Sequence, residues 1–259
     1  MEKLKLIETK TRQLPEDEEF IWRYFDIHKF LNLIYLTRFK FTRMDQFEDP
    51  LEGIPFEILQ RYFTIGDKSM SLGQLILDES QLVGGKRIAG RIDKIHRIQF
   101  NTFVSCWFSE KRESMAMWNL YSNPDGVAIK IPFGHLKNFL YPEIDKLNLV
   151  EYYCGKVSYQ DFADKDPYPE DSISRIKRFA LRKDISYSHE KEIRFVVKSK
   201  NLDRQTIRLN SKPIDLKELE MKVVCHPRMD DWKKTNVKRI LRSASLYKCF
   251  SESEIKLRF

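Results

Sequence analysis

Ser188-His189-Glu190-Lys191-Glu192-Ile193-Arg194-Phe195-Val196-Val197 is the stretch on which the reading of this chain turns. Read as a strand over 190–197, its period of two puts Glu190, Glu192 and Arg194 on one face and sends Ile193, Phe195 and Val197 into a core. Two neighbouring carboxylates resist ionising together, so one holds a proton or takes a cationic partner. That suits general-base work or the stabilisation of a developing positive charge. Arg194 is placed to neutralise them, and the same alternation also fits the solvated face of an edge strand. His189-Glu190 does not complete H-E-x-x-H, which excludes a zinc-protease reading.

Moving outward, residues 102–109, Thr-Phe-Val-Ser-Cys-Trp-Phe-Ser, are rich in β-branched and aromatic side chains and predict a buried strand. A short helix is expected over 114–121. Asn123-Pro124-Asp125-Gly126 is a turn, and 127–131 is the next strand. Nearer the start, Phe20, Ile21, Tyr24, Ile27 and Leu31 approximate a 3.6 period and predict a helix over 17–32, followed by a strand over 34–41. Asp45, Asp49, Pro50 and Gly53 make 44–53 a loop. Residues 54–98 read mostly as helix, broken at Gly66-Asp67 and Gly84-Gly85. Residues 164–171 form a polar connection, 172–183 an amphipathic helix capped by Asp171 or Ser172, and 232–241 a basic helix. Val223 and Val224 seed one more strand.

There is no internal repeat and no Gly/Ser-rich linker. These elements predict an α+β fold in a single domain, 1–259, with 1–18 set apart as an N-terminal extension. Its core sheet is mixed or antiparallel, or split into two small sheets, and helices flank it.

Of the 259 residues 42% are hydrophobic and 32% charged, a balance that disordered chains lack. No run reaches the roughly 20 apolar residues of a spanning helix, and the first eight residues alternate charge with apolar side chains instead of forming a signal-peptide core. The expectation is a cytoplasmic protein without membrane contact. Four widely spaced cysteines suggest neither a zinc knuckle nor a disulfide framework. A formal charge of +8 favours an anionic partner, nucleic acid above all, although a solvated basic surface accounts for it too.

Two further patterns carry chemistry. Alternation sets Ser105, Trp107 and Ser109 together, and Trp118 and Tyr121 share a helical face; such side chains suit the wall of a planar ring's pocket, and suit an ordinary core equally. Phe47-Glu48-Asp49-Pro50-Leu51-Glu52-Gly53 puts acids around a proline, for capping a helix or holding a substrate hydroxyl. Neither G-x-G-x-x-G nor a P-loop is present, and the five histidines do not cluster at ligand spacing, so no metal is expected.

In order along the chain, Trp22-Arg23-Tyr24, Phe47-Glu48-Asp49-Pro50-Leu51-Glu52, Val104-Ser105-Cys106-Trp107-Phe108-Ser109, Met117-Trp118-Asn119-Leu120-Tyr121 with Gly126-Val127-Ala128-Ile129, and Tyr187 to Arg194 resemble the bacterial family known as domain of unknown function 2971. Glu48 stands where that family usually has Asn, and Tyr187 where it more often has Trp. A second resemblance is to ADP-ribosyltransferases, which carry an early Arg, a Ser-bearing strand and a late Glu-x-Glu strand in that order. Arg23, Ser105 and Glu190 with Glu192 reproduce the order. Arg23 is followed by Tyr-Phe and Ser105 lies in Ser-Cys-Trp, both departures from that pattern.

This second resemblance implies NAD as substrate, in a toxin or phage-defence effector that modifies a nucleic acid or a protein. Glu192 would stabilise an oxocarbenium-like ribose and Glu190 orient the acceptor. Arg23 would hold pyrophosphate or ribose and Ser105 would support the Glu, while Trp107, Tyr121, Tyr24 and Trp118 would line the nicotinamide pocket. The alternatives are a non-catalytic nucleic-acid-binding module and a nuclease whose Asp45, Asp49, Glu190 and Glu192 hold a divalent cation.

Overall fold

A computed structural model describes residues 5–6, 14–36, 39–49, 51–54, 97–145, 151–161, 179–199, 206–209 and 216–256. Along the chain they form β1 (Lys5–Leu6), β2 (Phe20–Phe25), α1 (Ile27–Leu36), β3 (Phe39–Arg43), β4 (Thr102–Phe108), α2 (Met115–Tyr121), β5 (Val127–Pro132) and α3 (Phe133–Asp145). There follow β6 (Glu151–Lys156), β7 (Ser158–Gln160), β8 (Arg182–Asp184), β9 (Glu192–Lys198), β10 (Thr206–Leu209), β11 (Lys222–Cys225), α4 (Asp231–Ser243) and β12 (Phe250–Ser251).

The fold is α+β. Strands run in the order β1-β6-β9-β4-β2-β5-β11-β12, with β3 sharing one edge of β4 with β2 and β10 added outside β3. Pairings are antiparallel except β1 with β6 and β11 with β12. A second, two-stranded sheet joins β7 to β8 in parallel.

The two faces of the large sheet differ. On one face Ile21, Phe25, Phe103, Trp107, Ile129, Ile193, Phe195 and Val197 pack beneath apolar side chains of α1, α3 and α4, forming the main core. Two smaller clusters lie on the opposite face. Trp22, Tyr24, Phe108, Ala128 and Val224 pack against Met117 and Trp118 of α2, while Val104, Tyr153 and Val196 pack against Met44, Ala180 and Leu181. Between these two clusters β4 and β9 present Cys106, Glu192 and Arg194, since Cys106 pairs with Arg194 and Phe108 with Glu192.

Three sequence expectations shift. The helix expected over 17–32 is a strand, β2, followed by α1. Ile21, Trp22, Tyr24 and Phe25 are all buried because β2 lies between β5 and β4 with both faces covered, and apolar residues on both faces imitate a 3.6 period. The expected strand over 34–41 accordingly begins only at Phe39. The end of the amphipathic helix expected over 172–183 is a 3-10 turn, Phe179–Leu181, running into β8. The rest of that helix, the connection 164–171 and nearly all of the helical stretch 54–98 lie outside the described residues. The strand 102–109, the helix 114–121, the strand 127–131 and the basic helix 232–241 correspond to β4, α2, β5 and α4. Among the described residues no helix is long and apolar enough to cross a membrane.

Candidate functional site

β9 is no edge strand. It lies between β4 and β6, and its first six residues are buried on both faces, which removes the solvated-face reading of its charges. Glu190 does not belong to the strand: it ends the 3-10 turn Ile185–Glu190, and Lys191, at φ 40 in the left-handed region, breaks the alternation between the two glutamates. A left-handed lysine is uncommon and is held here at both ends of the residue. Its carbonyl accepts from Ser109 N–H at 2.9 Å and its ammonium meets Glu110 at 2.7 Å. Glu190 therefore approaches Glu192 from the turn, and the two side chains share a hydrogen bond.

Arg194, with none of its surface exposed, organises the cluster. Its Nη1 and Nη2 donate to the two oxygens of Glu52 at 2.8 and 2.7 Å, Nε donates to Glu192, and Nη1 also reaches the Ala180 carbonyl at 2.9 Å. Lys183 Nζ donates to Glu190 at 2.6 Å and lies 3.6 Å from Glu192 and 3.7 Å from Glu52. Tyr121, on the last turn of α2, donates its hydroxyl to the other oxygen of Glu190. The Tyr187 ring packs 4.2 Å from the Lys183 ammonium, and Tyr159 accepts from Glu192 N–H at 2.8 Å.

Charge counting locates the proton. Three carboxylates face two cations, so one bound proton makes the buried group neutral. Burial pushes Glu52 up, but it gives both oxygens to the Arg194 guanidinium and, among the described residues, shares no hydrogen bond with another carboxyl. Burial pushes Glu192 up, but the Arg194 charge and the hydrogen bonds from Glu190 and Arg194 outweigh it and hold Glu192 below the usual carboxylate range. Glu190 is left with the proton: burial, its hydrogen bond to Glu192 and that carboxylate's charge push it up to about 7, against the pull of Lys183 and Tyr121. Burial and then Glu190 raise the Tyr121 phenol, so it stays protonated. Cys106, partly buried beside Glu192, is likewise pushed well above its ordinary value by desolvation and then by the Glu192 charge, and its thiol is no nucleophile.

Of the eight residues singled out in the sequence, three meet here: Glu190, Glu192 and Tyr121. Tyr24 and Trp118 lie on the same face but serve as support for α2. Their rings pack edge to face at 4.9 Å, the Tyr24 hydroxyl accepts from Ser114 N–H at 3.0 Å, and Trp118 Nε1 donates to Glu113 at 2.8 Å. Both are buried, which leaves them no exposed ring for a nicotinamide. Arg23, Ser105 and Trp107 point to the opposite face, because on β2 and β4 they alternate with Trp22, Tyr24, Cys106 and Phe108. The single pocket expected from Arg23, Ser105, Trp107, Tyr121 and the two glutamates does not form; the sheet divides it.

Sequence reading missed Glu52 and Lys183. Glu52 lies in the quoted Phe47 to Gly53 motif, where capping was the plainer role, and nothing local pairs it with a residue 142 positions away. Lys183 ends the stretch 172–183 expected as an amphipathic helix, where it has no partner in view. Of the carboxylates proposed for a divalent cation, Asp45 is bound to Arg43 at 2.5 Å, and the charge compensating Glu190 and Glu192 comes from Lys183 and Arg194. Among the described residues no group of three or more His, Cys, Asp or Glu is disposed to hold a metal. On α4, Lys233, Lys234 and Lys238 pair with Asp125, Asp231 and Glu252, whereas the exposed Arg239 and Arg242 form no ion pair among the described residues.

No curated protein and no solved structure matches this chain. A family model described as protein of unknown function (DUF2971) matches residues 117–195, which hold Tyr121, Lys183, Glu190, Glu192 and Arg194. From within α2 into β9, then, this chain is similar to the DUF2971 family of proteins of unknown function, the family that its motifs resemble.

Proposed function

We propose that this protein is an enzyme working by proton transfer, with Glu190 as its acid–base group and Tyr121 as the hydroxyl that meets the substrate. One observation carries the reading: a carboxyl that keeps its proton to about neutral pH is hydrogen-bonded to a tyrosine that is 42% exposed. An acid with a pKa near the working pH combines a substantial protonated population with useful driving force for transfer. When the Tyr121 hydroxyl turns to a substrate atom and gives up its proton, the neighbouring Glu190 carboxyl replaces it, and Lys183 and Arg194 stabilise the negative charge left behind. Glu192, locked under Arg194, acts as a positioning residue that sets the affinity of Glu190 for its proton.

NAD is the substrate we would try first, on the strength of the adjacent glutamates alone. With Arg23 and Ser105 on the far face, the residues expected to hold NAD do not come together in one pocket. The test incubates labelled NAD with lysate protein and nucleic acid, using wild type, Glu190→Gln and Tyr121→Phe. Turnover by wild type that is lost in both variants supports the reading. Turnover that survives Glu190→Gln contradicts it.

A second reading, nucleic-acid binding through α4, is favoured by the exposed Arg239 and Arg242, which form no ion pair among the described residues, and by the exposed Trp232 on the same helix. Binding of single-stranded RNA that weakens with salt and with Arg239→Ala plus Arg242→Ala supports it. Binding unchanged by that pair of substitutions rejects it.

A further inference from the structure

We infer that Arg23 and Ser105 form a binding site for a small oxyanion, a carboxylate or phosphate group, on the face of the sheet opposite the acidic cluster. A guanidinium carries five N–H donors and no acceptor. Among the described residues the one hydrogen bond from Arg23 runs from Nη1 to Ser105 Oγ at 3.0 Å, and no carboxylate pairs with it. Arg194 and Arg43, by contrast, have their acids at 2.7 and 2.5 Å.

Ser105 sharpens the point. Its oxygen has two lone pairs, and two N–H donors take them, Arg23 Nη1 and Trp107 Nε1, each at 3.0 Å. The serine's own O–H must then point elsewhere, and among the described residues no acceptor receives it. A half-buried cation and a buried hydroxyl thus stand side by side, and the described residues supply no acceptor for the remaining protons of either. Leaving such groups unmatched is costly away from bulk water, and an oxyanion matches both at once.

Shape supports the same class of ligand. Rings of Phe25 and Trp107 lie 5.6 Å from the guanidinium carbon, fixing the plane of the fork, and a fixed fork suits the paired oxygens of carboxylate or phosphate. Burial lowers the Arg23 pKa, as expected of a guanidinium with no carboxylate beside it among the described residues. Ile21, Phe25, Phe103 and Trp107 belong to the main apolar core on that face, so the surroundings of the pair are apolar and favour one compact anionic group over an extended acidic surface.

Isothermal titration with inorganic phosphate and with acetate, against sodium chloride at equal ionic strength, tests the site in the full chain. Wild type should bind one oxyanion saturably and gain melting temperature with it. Arg23→Gln should weaken binding by about tenfold or more and abolish the gain, and Ser105→Ala should weaken it several-fold. Glu190→Gln should bind as wild type does, which separates this site from the proton-transfer proposal. Response to phosphate alone, acetate alone or both identifies the ligand source, and each supports the site. Should Arg23→Gln fail to fold, Arg23→Lys retains the charge without the fork and is expected to bind more weakly than wild type. Absence of saturable binding by wild type, equal binding by folded Arg23 variants, or loss of binding in folded Glu190→Gln overturns the inference.

Discussion

Arg194 meets Glu52 through two parallel hydrogen bonds, at 2.8 and 2.7 Å, across 142 positions of sequence. The pair ties the loop after β3 to the middle of β9, where neither partner reaches water. Removing one member of a buried pair leaves the other charge uncompensated, so Glu52→Ala is expected to cost about 3–5 kcal/mol. Arg194→Met strands both Glu52 and Glu192 and should cost at least as much. Urea unfolding curves of the two variants against wild type measure both.

Glu192→Gln tests the assignment of Glu192 as a positioning residue. The substitution removes the charge that Arg194 compensates, so the melting temperature should fall, by an amount corresponding to about 2 kcal/mol or more. A free catalytic carboxylate would instead leave stability unchanged. Thermal melts at neutral pH distinguish the two.

Stability should depend on pH through these two glutamates with opposite signs. Glu190 is raised from 4.5 to about 7, so its contribution is full below 4.5 and is lost as pH rises through about 7. Glu192 is lowered, so its contribution is present above 4.5 and is lost only as pH falls well below that value. Between pH 4.5 and 7, Glu190→Gln should therefore flatten the stability profile by up to about 1.4 kcal/mol per pH unit, the slope of one proton. Denaturant unfolding at half-unit steps of pH reads the difference.

Tyr121→Phe should leave the fold intact, since the ring is half in solvent and loses only its hydroxyl. The hydroxyl lowers the Glu190 pKa by donating to it, so its loss should move the Glu190 titration upward. Turnover of any substrate found should drop by about 10²–10⁴-fold, as for loss of a positioned acid. A downward shift of the titration would contradict the hydrogen-bond assignment.

Gly126 closes the turn between α2 and β5, and a Cβ there would lie 2.4 Å from the Phe25 carbonyl oxygen and 1.9 Å from Ser122 Oγ. The serine can rotate, although it would lose its 2.8 Å bond to that same carbonyl, and the backbone cannot. Gly126→Ala is expected to cost about 1–3 kcal/mol, measurable as a lower melting temperature.

Much of this architecture was legible wherever one strand or helix shows one pattern. The runs that became β4, α2, β5 and α4 carry clear turn signals and one periodicity each. β2 was misread because a strand buried on both faces has no polar face to mark its period, and the apolar residues around Trp22 then satisfy a helical template. In the site, the glutamate pair, Arg194 and Tyr121 stood out because charge inside an apolar run is conspicuous. Glu52 and Lys183 did not, since their roles depend on contacts across the fold that no local spacing encodes. The parity of β4 explains the remaining error. Ser105 and Cys106 are adjacent in sequence and lie on opposite faces of the sheet, so a resemblance in residue order placed Ser105 with the glutamates while the register places Cys106 there.

The central claim is that Glu190 holds a proton near neutral pH at the Tyr121 hydroxyl. Infrared difference spectroscopy of the protonated carboxyl stretch, titrated from pH 4 to 9 in wild type and Glu190→Gln, reads it directly. The account predicts a carboxyl band that persists to neutral pH, disappears with a midpoint near 7 and is absent from Glu190→Gln. A wild-type protein with no such band above pH 5, or a band that survives in the folded variant, would contradict it.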